Sequence, residues 1–315
     1  MAVIDRQQAD PAALRVQASR AELAQLIARY VPEDGPTAMP AGVMLRRASA
    51  PTEMGHGVSY PSFCVIAQGS KEILLGESRY RYDPARYLIT SAALPIATRV
   101  IEASPGSPYL AFVLRLDPAV VGSVMVEAGE PAPRASAAVR AIDVSPLDAD
   151  LLDAVVRLVR LLASPAEARV LAPLVTREII YRLLLGAQGG RLGHITALGG
   201  ATHRIAAAVE RLRQDFDRPL HIEDVAREIG MSVSGFHHHF KALTALSPLQ
   251  FQKQLRLQEA RRLLLAEDLD AAGAGRRVGY DDPAYFSREY KRLFGAPPLR
   301  HAAVLRERVG ESAGL

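Results

Sequence analysis

Cysteine is almost absent from this 315-residue chain: Cys64 is the only one, so no intrachain disulfide framework can exist. No apolar run reaches the ~18 residues of a membrane span. Residues 1–30 form an Ala-rich amphipathic stretch interrupted by Arg and Glu, without the apolar core and small-residue cleavage site of a signal peptide. These absences lead us to expect a cytoplasmic protein with no membrane partner. Metal-ligating residues are scarce where a metal enzyme would need them: between residues 43 and 116 the only histidine is His56. His237-His-His239 invites a metal reading, but neighbours on a helix point in different directions and cannot close one site. There is no paired Ser/His/Asp pattern and no phosphate loop, so no enzyme activity, cofactor or metal is expected. Excess charge is scarce too. The net +4 comes from 38 basic and 34 acidic residues, and residues 201–315 hold 18 and 15 of them. Bulk charge therefore says little about nucleic acid, and only the local placement of Arg, Lys and His can argue for it.

What is present fits two globular domains: the length allows two cores and 49% of residues are apolar. Residues 12–30 read as one helix through Leu14, Leu23, Leu26, Ile27 and Tyr30. From Val43 to Leu116 short apolar runs are cut by Gly, Pro and Ser, at Val43–Leu45, Phe63–Gln68, Glu72–Leu75, Tyr80–Tyr82, Tyr87–Thr90, Ile96–Ile101 and Tyr109–Leu116. That grammar predicts a small antiparallel barrel or sandwich. Ser145-Pro-Leu-Asp and Ser164-Pro-Ala-Glu then read as two helix starts. The two helices are apolar enough for either a dimer interface or packing onto the barrel. Gly186 to Gly200 reads as a hinge. Helical patterns follow at Thr202–Phe216, Ile222–Ile229, Val233–Leu243, Pro248–Leu265, Ala271–Val278, Pro283–Phe294 and Pro298–Arg306.

The most informative stretches are Met231-Ser-Val-Ser-Gly-Phe-His-His-His-Phe-Lys241 and Tyr280-Asp-Asp-Pro-Ala-Tyr-Phe-Ser-Arg-Glu-Tyr-Lys291. Each follows a short helical pattern ending in Gly (Gly230, Gly279), and each holds two aromatics four apart followed by a basic residue. This is the layout of two helix-turn-helix units. Phe236 with Phe240, and Phe286 with Tyr290, share a helix face and serve as core anchors. The opposite faces then carry Ser234, His237, His238 and Lys241 in one unit, and Ala284, Tyr285, Arg288, Lys291 and Arg292 in the other. Arg288 is the best candidate for a base contact, because a guanidinium grips guanine O6 and N7 together. Lys241, Lys291 and Arg292 read as phosphate contacts. Leu249 to Leu265 is a rigid spacer of roughly 25 Å, suited to holding the two helices about one DNA turn apart. Gly273 and Gly275 in the helix before the second unit each cost up to ~1 kcal/mol there, which suggests a looser second unit.

Residues 204–304 resemble the DNA-binding domain of the AraC/XylS family of bacterial transcription regulators. The carrying motifs are Asp224-Val-Ala-Arg-Glu-Ile-Gly-Met-Ser, Phe236-His-His-His-Phe-Lys, Ser247-Pro-Leu-Gln-Phe, Leu255-Arg-Leu-Gln-Glu-Ala-Arg-Arg-Leu-Leu, Val278-Gly-Tyr, Phe286-Ser-Arg-Glu-Tyr-Lys-Arg-Leu-Phe-Gly and Pro297-Pro. The resemblance implies that Ser234, His237 and His238 read one half-site, and Ala284 and Arg288 the other. The N-terminal half resembles a subgroup of the same family through Pro61-Ser-Phe-Cys-Val-Ile-Ala-Gln-Gly-Ser-Lys, Leu75-Gly, Tyr82-Asp-Pro, Tyr87-Leu, Pro95 and Pro108-Tyr-Leu. This implies an α+β chain with an N-terminal cupin-like barrel that senses an effector or dimerises. Expected boundaries are 1–145 for the sensing domain, 146–186 for a helical dimerisation or packing segment, 187–203 for a linker and 204–304 for the double helix-turn-helix.

Candidate effector residues are Cys64, Gln68, Lys71 and Tyr82. Cys64 is either a buried small apolar side chain or a reactive thiol whose pKa a nearby cation such as Lys71 lowers. Tyr60, Tyr80, Tyr82, Tyr87 and Tyr109 fill the core or rim, and some could line a ligand pocket. The expected function is a one-component regulator, an activator by family resemblance, that binds promoter DNA as a homodimer and works with RNA polymerase. The alternatives are a cupin-type enzyme localised by its C-terminal domain and a DNA-binding dimer without a small ligand.

Overall fold

A computed structural model describes residues 11–129, 140–196, 201–267 and 269–313. The chain opens with helix α1 (Pro11–Tyr30), followed by strands β1 (Gly35–Ala38), β2 (Val43–Ala48), β3 (Gly55–Ser59), β4 (Ser62–Gln68), β5 (Ser70–Leu75), β6 (Ser78–Tyr82), β7 (Arg86–Thr90), β8 (Leu94–Glu102) and β9 (Tyr109–Arg115). Helix α2 (Pro118–Glu127), strand β10 (Ile142–Pro146) and helices α3 (Ala149–Leu161), α4 (Pro165–Leu185) and α5 (Gly189–Ile195) complete the N-terminal half. All seven strands read from the sequence are present. Two antiparallel sheets form, ordered β1-β2-β9-β4-β7-β10 and β3-β8-β5-β6. This is the double-sheet architecture cupins use.

Strand alternation divides the six-stranded sheet into two apolar faces. Phe63 and Val65 of β4, Phe112 and Leu114 of β9, and Tyr87 and Ile89 of β7 pack under the helices with Leu23 and Ile27 of α1. Cys64, Ile66, Leu88 and Ala111 turn the other way, toward the second sheet. Helix α3 lies inside the first of these cores through Leu151, Leu152, Val155, Val156 and Val159, capped by Asp148, which accepts from the Leu151 N–H at 2.8 Å. Its start falls after the expected Ser145-Pro, which instead closes β10. Helix α4 packs its Ile179, Ile180 and Leu183 inward but leaves Val170, Leu174, Tyr181 and Leu185 on the outside, each at least 45% exposed. The Gly-rich stretch read as a hinge is partly helical: α5 buries Leu192 and Ile195 in the same core. Residues 197–200 of that expected linker, and residues 1–10 and 130–139 of the expected sensing domain, lie outside the described residues.

The C-terminal half is helical throughout: α6 (Ala201–Gln214), α7 (Ile222–Glu228), α8 (Val233–Thr244), α9 (Pro248–Ala266), α10 (Ala271–Arg277), α11 (Pro283–Phe294) and α12 (Pro298–Ala313). Local chemistry explains the boundaries. Pro occupies the first turn of α9 and α11, Ser247 and Gln250 form a capping box, and Gly230, Gly279 and Gly295 take positive φ at the turns. Helices α7 and α8 make one helix-turn-helix, α10 and α11 the other, and α9 joins them.

The expectation of a looser second unit is corrected here. A Cβ on Gly275 would stand 3.1 Å from the Phe286 ring, so this glycine lets α10 and α11 approach closely. Ala226 and Ala274 are both buried at the equivalent helix contacts. Arg256 of α9 ties the two units together. It donates to the carbonyls of Phe216 and Gly279, both at 2.6 Å, and of Asp217 and Arg218 at 3.2 and 2.8 Å.

The helical half is docked on the sheets. The core between the sheets continues into that of the first helical unit through Ile205, Phe236, Phe240 and Leu243. The Ala141 N–H donates to the Leu243 carbonyl at 3.0 Å, and the β5–β6 turn at Gly76 sits against Ala245 and Leu246. At the far end Arg261 of α9 donates to the His56 carbonyl of β3, and the His56 ring meets Phe294 of α11 edge-on at 5.0 Å.

Three stability effects follow, each readable by urea denaturation. Ala245 ends α8 at φ 60, the place Gly295 holds at the end of α11. Ala245→Gly should therefore stabilise by about 0.5–1 kcal/mol, as relief of the left-handed strain exceeds the added chain entropy. Gly275→Ala should cost about 1–3 kcal/mol by overpacking against Phe286. Arg256→Met, which strands four carbonyls, should cost about 2–4 kcal/mol.

Candidate nucleic-acid interface and interior cavity

Helix α8 starts at Ser232, whose hydroxyl accepts from the Gly235 N–H at 3.2 Å. Phe236 and Phe240 are fully buried with rings 5.4 Å apart, and Phe240 meets Phe251 of α9 edge-on at 5.4 Å. Those anchors fix the rotation of the helix. Ser234, His238 and Lys241 are left exposed and His237 half-buried.

Helix α11 repeats the scheme. Asp282 accepts from the N–H groups of Ala284 and Tyr285 at 2.7 and 3.1 Å, Pro283 fills the first turn, and Phe286 and Tyr290 are buried. Ala284, Tyr285, Arg288, Lys291 and Arg292 are exposed. The structure thus brings the nine sequence-selected residues onto the outer faces of two helices. Arg288 stands 5.9 Å from the centroid of the Tyr285 ring. Arg292 is tied to the buried Glu289 at 2.8 Å. Sequence reasoning missed Lys253 on α9, which binds Glu289 at 2.7 Å and lies 5.6 Å from the Tyr285 ring. In the sequence it is one position of the spacer Leu249 to Leu265, and only the packing of α9 on α11 brings it to this surface.

The effector candidates separate. A cavity of about 670 Å³ opens between the two sheets, lined by Cys64, Lys71 and Tyr82 together with Arg46, Tyr109 and Leu88. Gln68 is not among its lining residues; its amide donates to the Pro108 carbonyl at 2.8 Å, holding the loop before β9. Arg99, three residues after the cavity-lining Ile96, binds Glu72 at 2.8 Å. Cys64 is buried, and that burial pushes its thiol pKa up more than Lys71, Ser62 and Arg46 pull it down. The activated-thiol expectation is therefore corrected toward a mostly protonated thiol. Lys71 is pushed down to about 8, by burial first and then by the Arg46 charge. Burial pushes the Tyr82 and Tyr109 phenols well up, so both remain O–H donors at neutral pH. Arg46 was missed, because nothing in Val43-Met-Leu-Arg-Arg says which arginine faces inward. Among the described residues, no group of three or more His, Cys, Asp or Glu is placed to hold a metal ion, and no helix is long and apolar enough to cross a membrane.

Comparison with known proteins agrees with both halves. A family described as AraC-type transcriptional regulator N-terminus matches residues 40–191, and a helix-turn-helix domain family matches residues 225–303. The Escherichia coli arabinose operon regulatory protein is 34% identical over 97 residues, 31% of this chain and 33% of that one. The Pseudomonas aeruginosa MmsAB operon regulatory protein is 32% identical over 103 residues, 33% of this chain and 32% of that one. The chain thus spans about a third of the length of these curated relatives. Over 84% of this chain and 96% of the other, the fold matches Vibrio cholerae ToxT with a bound unsaturated fatty acid, at a TM-score of 0.52 and 8% identity. ToxT bound to (E)-4-(8-methylnaphthalen-1-yl)but-3-enoic acid matches over 84% and 98%, at 0.52 and 10%. With an N-terminal match, a C-terminal match and a shared fold across both, this chain belongs to the AraC family of transcriptional regulators.

Proposed function

We propose that this chain is a one-component regulator that binds promoter DNA through α8 and α11 and responds to a small molecule held between its sheets. The observation that carries this reading is the pair of anchored helices whose exposed faces are basic and polar, held at one spacing by α9 and Arg256. Ser234, His237 and His238 read one half-site, and Ala284, Tyr285 and Arg288 the other. Lys241, Lys291 and Arg292 contact phosphate, with Lys253 beside them. The protein acts in the cytoplasm as an activator that works with RNA polymerase, and it is not an enzyme.

The cavity is of a size for a small organic ligand, and ToxT, which shares the fold, is named with acidic organic ligands bound. Strand β3 is the natural link between ligand and DNA. Gly57, Val58 and Tyr60 on and beside it line both the cavity and a crevice against Phe216, Leu255 and Arg261 of the helical half. A ligand that favours one position of β3 thereby shifts the balance between arrangements of the helical half docked on β3 and released from it.

The apolar stripe Val170, Leu174, Tyr181 and Leu185 on α4 recurs at helical spacing and is exposed, which suits a second copy of this chain packed antiparallel or parallel along it.

Fluorescence anisotropy with DNA from upstream of its own and neighbouring genes, over a salt series, tests the central reading. Tight, sequence-preferring binding is expected, and uniformly weak, salt-sensitive binding would refute it. Arg288→Ala should relax specificity in one half-site at a cost of about 1–3 kcal/mol, whereas Lys291→Ala should weaken all DNA alike and lower the salt slope by about one. Light scattering on Leu174→Asp combined with Tyr181→Asp should report a monomer where the unaltered chain is a dimer.

A further inference from the structure

Three cations line the cavity, the half-buried Arg46 and Lys71 and the exposed Arg115, with no carboxylate among the lining residues, and this asymmetry specifies its ligand. We infer that it binds an organic carboxylate, a single negative group on a compact apolar body, with Arg46 and Lys71 as the paired counter-ions; the inference rests on the effector reading above and names the ligand class of that same site.

Alternation along the strands aims both cations inward. On β2, Val43 and Leu45 pack in the core beneath the helices, so Arg46 faces the second sheet. On β5, Ile73 and Leu75 belong to the core between the sheets, and Lys71 shares their face. Neither cation has a hydrogen bond or ion pair to a carboxylate among the described residues, and no Asp or Glu lines the cavity. The nearby acids are engaged elsewhere. Asp34 accepts from the Ser49 N–H and hydroxyl, both at 2.8 Å, and lies 3.6 Å from Arg47. Glu72, on the opposite face of β5, binds Arg99 at 2.8 Å and Arg79 at 3.2 Å.

Two like charges between apolar sheets oppose each other and lose hydration, a cost that folding alone does not repay. A bound anion relieves both at once. A carboxylate matches what is there: a guanidinium fork offers paired N–H donors to its two oxygens, the ammonium adds a point charge, and the Tyr82–Tyr109 phenol pair, hydrogen-bonded to each other, has one O–H left to donate. Much of the remaining lining is apolar, including Met44, Ile73, Leu88, Ile96 and Val113, and so fits a hydrocarbon or aryl body. Arg46, Lys71, Thr98 and Tyr109 also line an outer crevice beside Arg47 and Thr52, which puts the charged end of the ligand near the mouth and its apolar end inside.

The test uses the full chain and two matched pairs of probes: 2-naphthoate against 2-naphthalenemethanol, and decanoate against 1-decanol, by titration calorimetry and thermal shift. At least one carboxylate should raise Tm and bind about tenfold or more tightly than its alcohol. Arg46→Met and Lys71→Met should each erase that preference while keeping alcohol binding within about threefold, and without ligand they should melt no lower than the unaltered chain, since each removes an unpaired charge. Lys71→Arg should keep the preference. Alcohols binding as well as carboxylates, Met variants that retain the preference, or no binding by either pair would each overturn the inference. DNA anisotropy on the same variants separates the two failures. Intact DNA binding with no carboxylate preference sinks only the ligand class, and absent DNA binding sinks the regulator reading.

Discussion

The geometry of both recognition helices depends on the guanidinium of Arg256. It reaches the carbonyls of the turn after α6, at Phe216, Asp217 and Arg218, and the Gly279 carbonyl in the turn before α11. Gln252, one turn earlier on α9, adds a second bond to Arg218 at 2.7 Å. Only arginine offers so many N–H donors in one plane, so lysine could not replace it. Gly279 completes the arrangement: its backbone is left-handed, and a Cβ there would run into the Asp217 carbonyl. The two units are therefore one rigid body through α9, joined by direct hydrogen bonds rather than by a flexible joint.

That rigid body is gripped at both ends by the sheets. At one end the β5–β6 turn and Ala141 hold the C-terminal end of α8. At the other, β3 holds α9 and α11 through Arg261 and through His56 against Phe294. Burial, followed by the Arg261 and His301 charges, holds the His56 pKa down to about 4, so the ring is neutral at physiological pH and packs as an aromatic. The second grip is the weaker design. It runs through a short, glycine-containing edge strand, Gly55–Ser59, whose other side is the cavity wall. Coupling between ligand and DNA needs an element with two arrangements that both sites bias, and an edge strand is easier to move than a central one.

Two features run against stability and point to selection for function. Ala245 carries a left-handed backbone where the second unit uses Gly295, and it is the residue the β5–β6 turn rests on. Arg46 and Lys71 hold unpaired charge between apolar sheets. Departures of this kind concentrate at sites where a partner or ligand supplies the missing interaction.

The helices of the C-terminal half, the side chains that α8 and α11 leave on their outer faces, and seven of the strands could be read from the residues alone. Helix caps, glycine turns and aromatic pairs such as Phe236 with Phe240 act over three or four residues, and alternation along Phe63–Gln68 acts over two, so the signal is local and sits in the sequence. What the tertiary structure decided is every question of which neighbour a residue meets across the chain. Gly275 read as a weak point until Phe286 was found against it. β1, β3 and β10 have too few apolar residues to announce themselves and exist because β2, β8 and β7 offer them free edges. Helix α5 forms in a glycine-rich stretch because Leu192 and Ile195 find a core to enter. Cys64, Lys71 and Tyr82 share a cavity while Gln68 does not, and Arg46 rather than Arg47 faces inward. Which face of a strand is interior depends on where the helices pack, a long-range outcome that two-residue periodicity cannot encode.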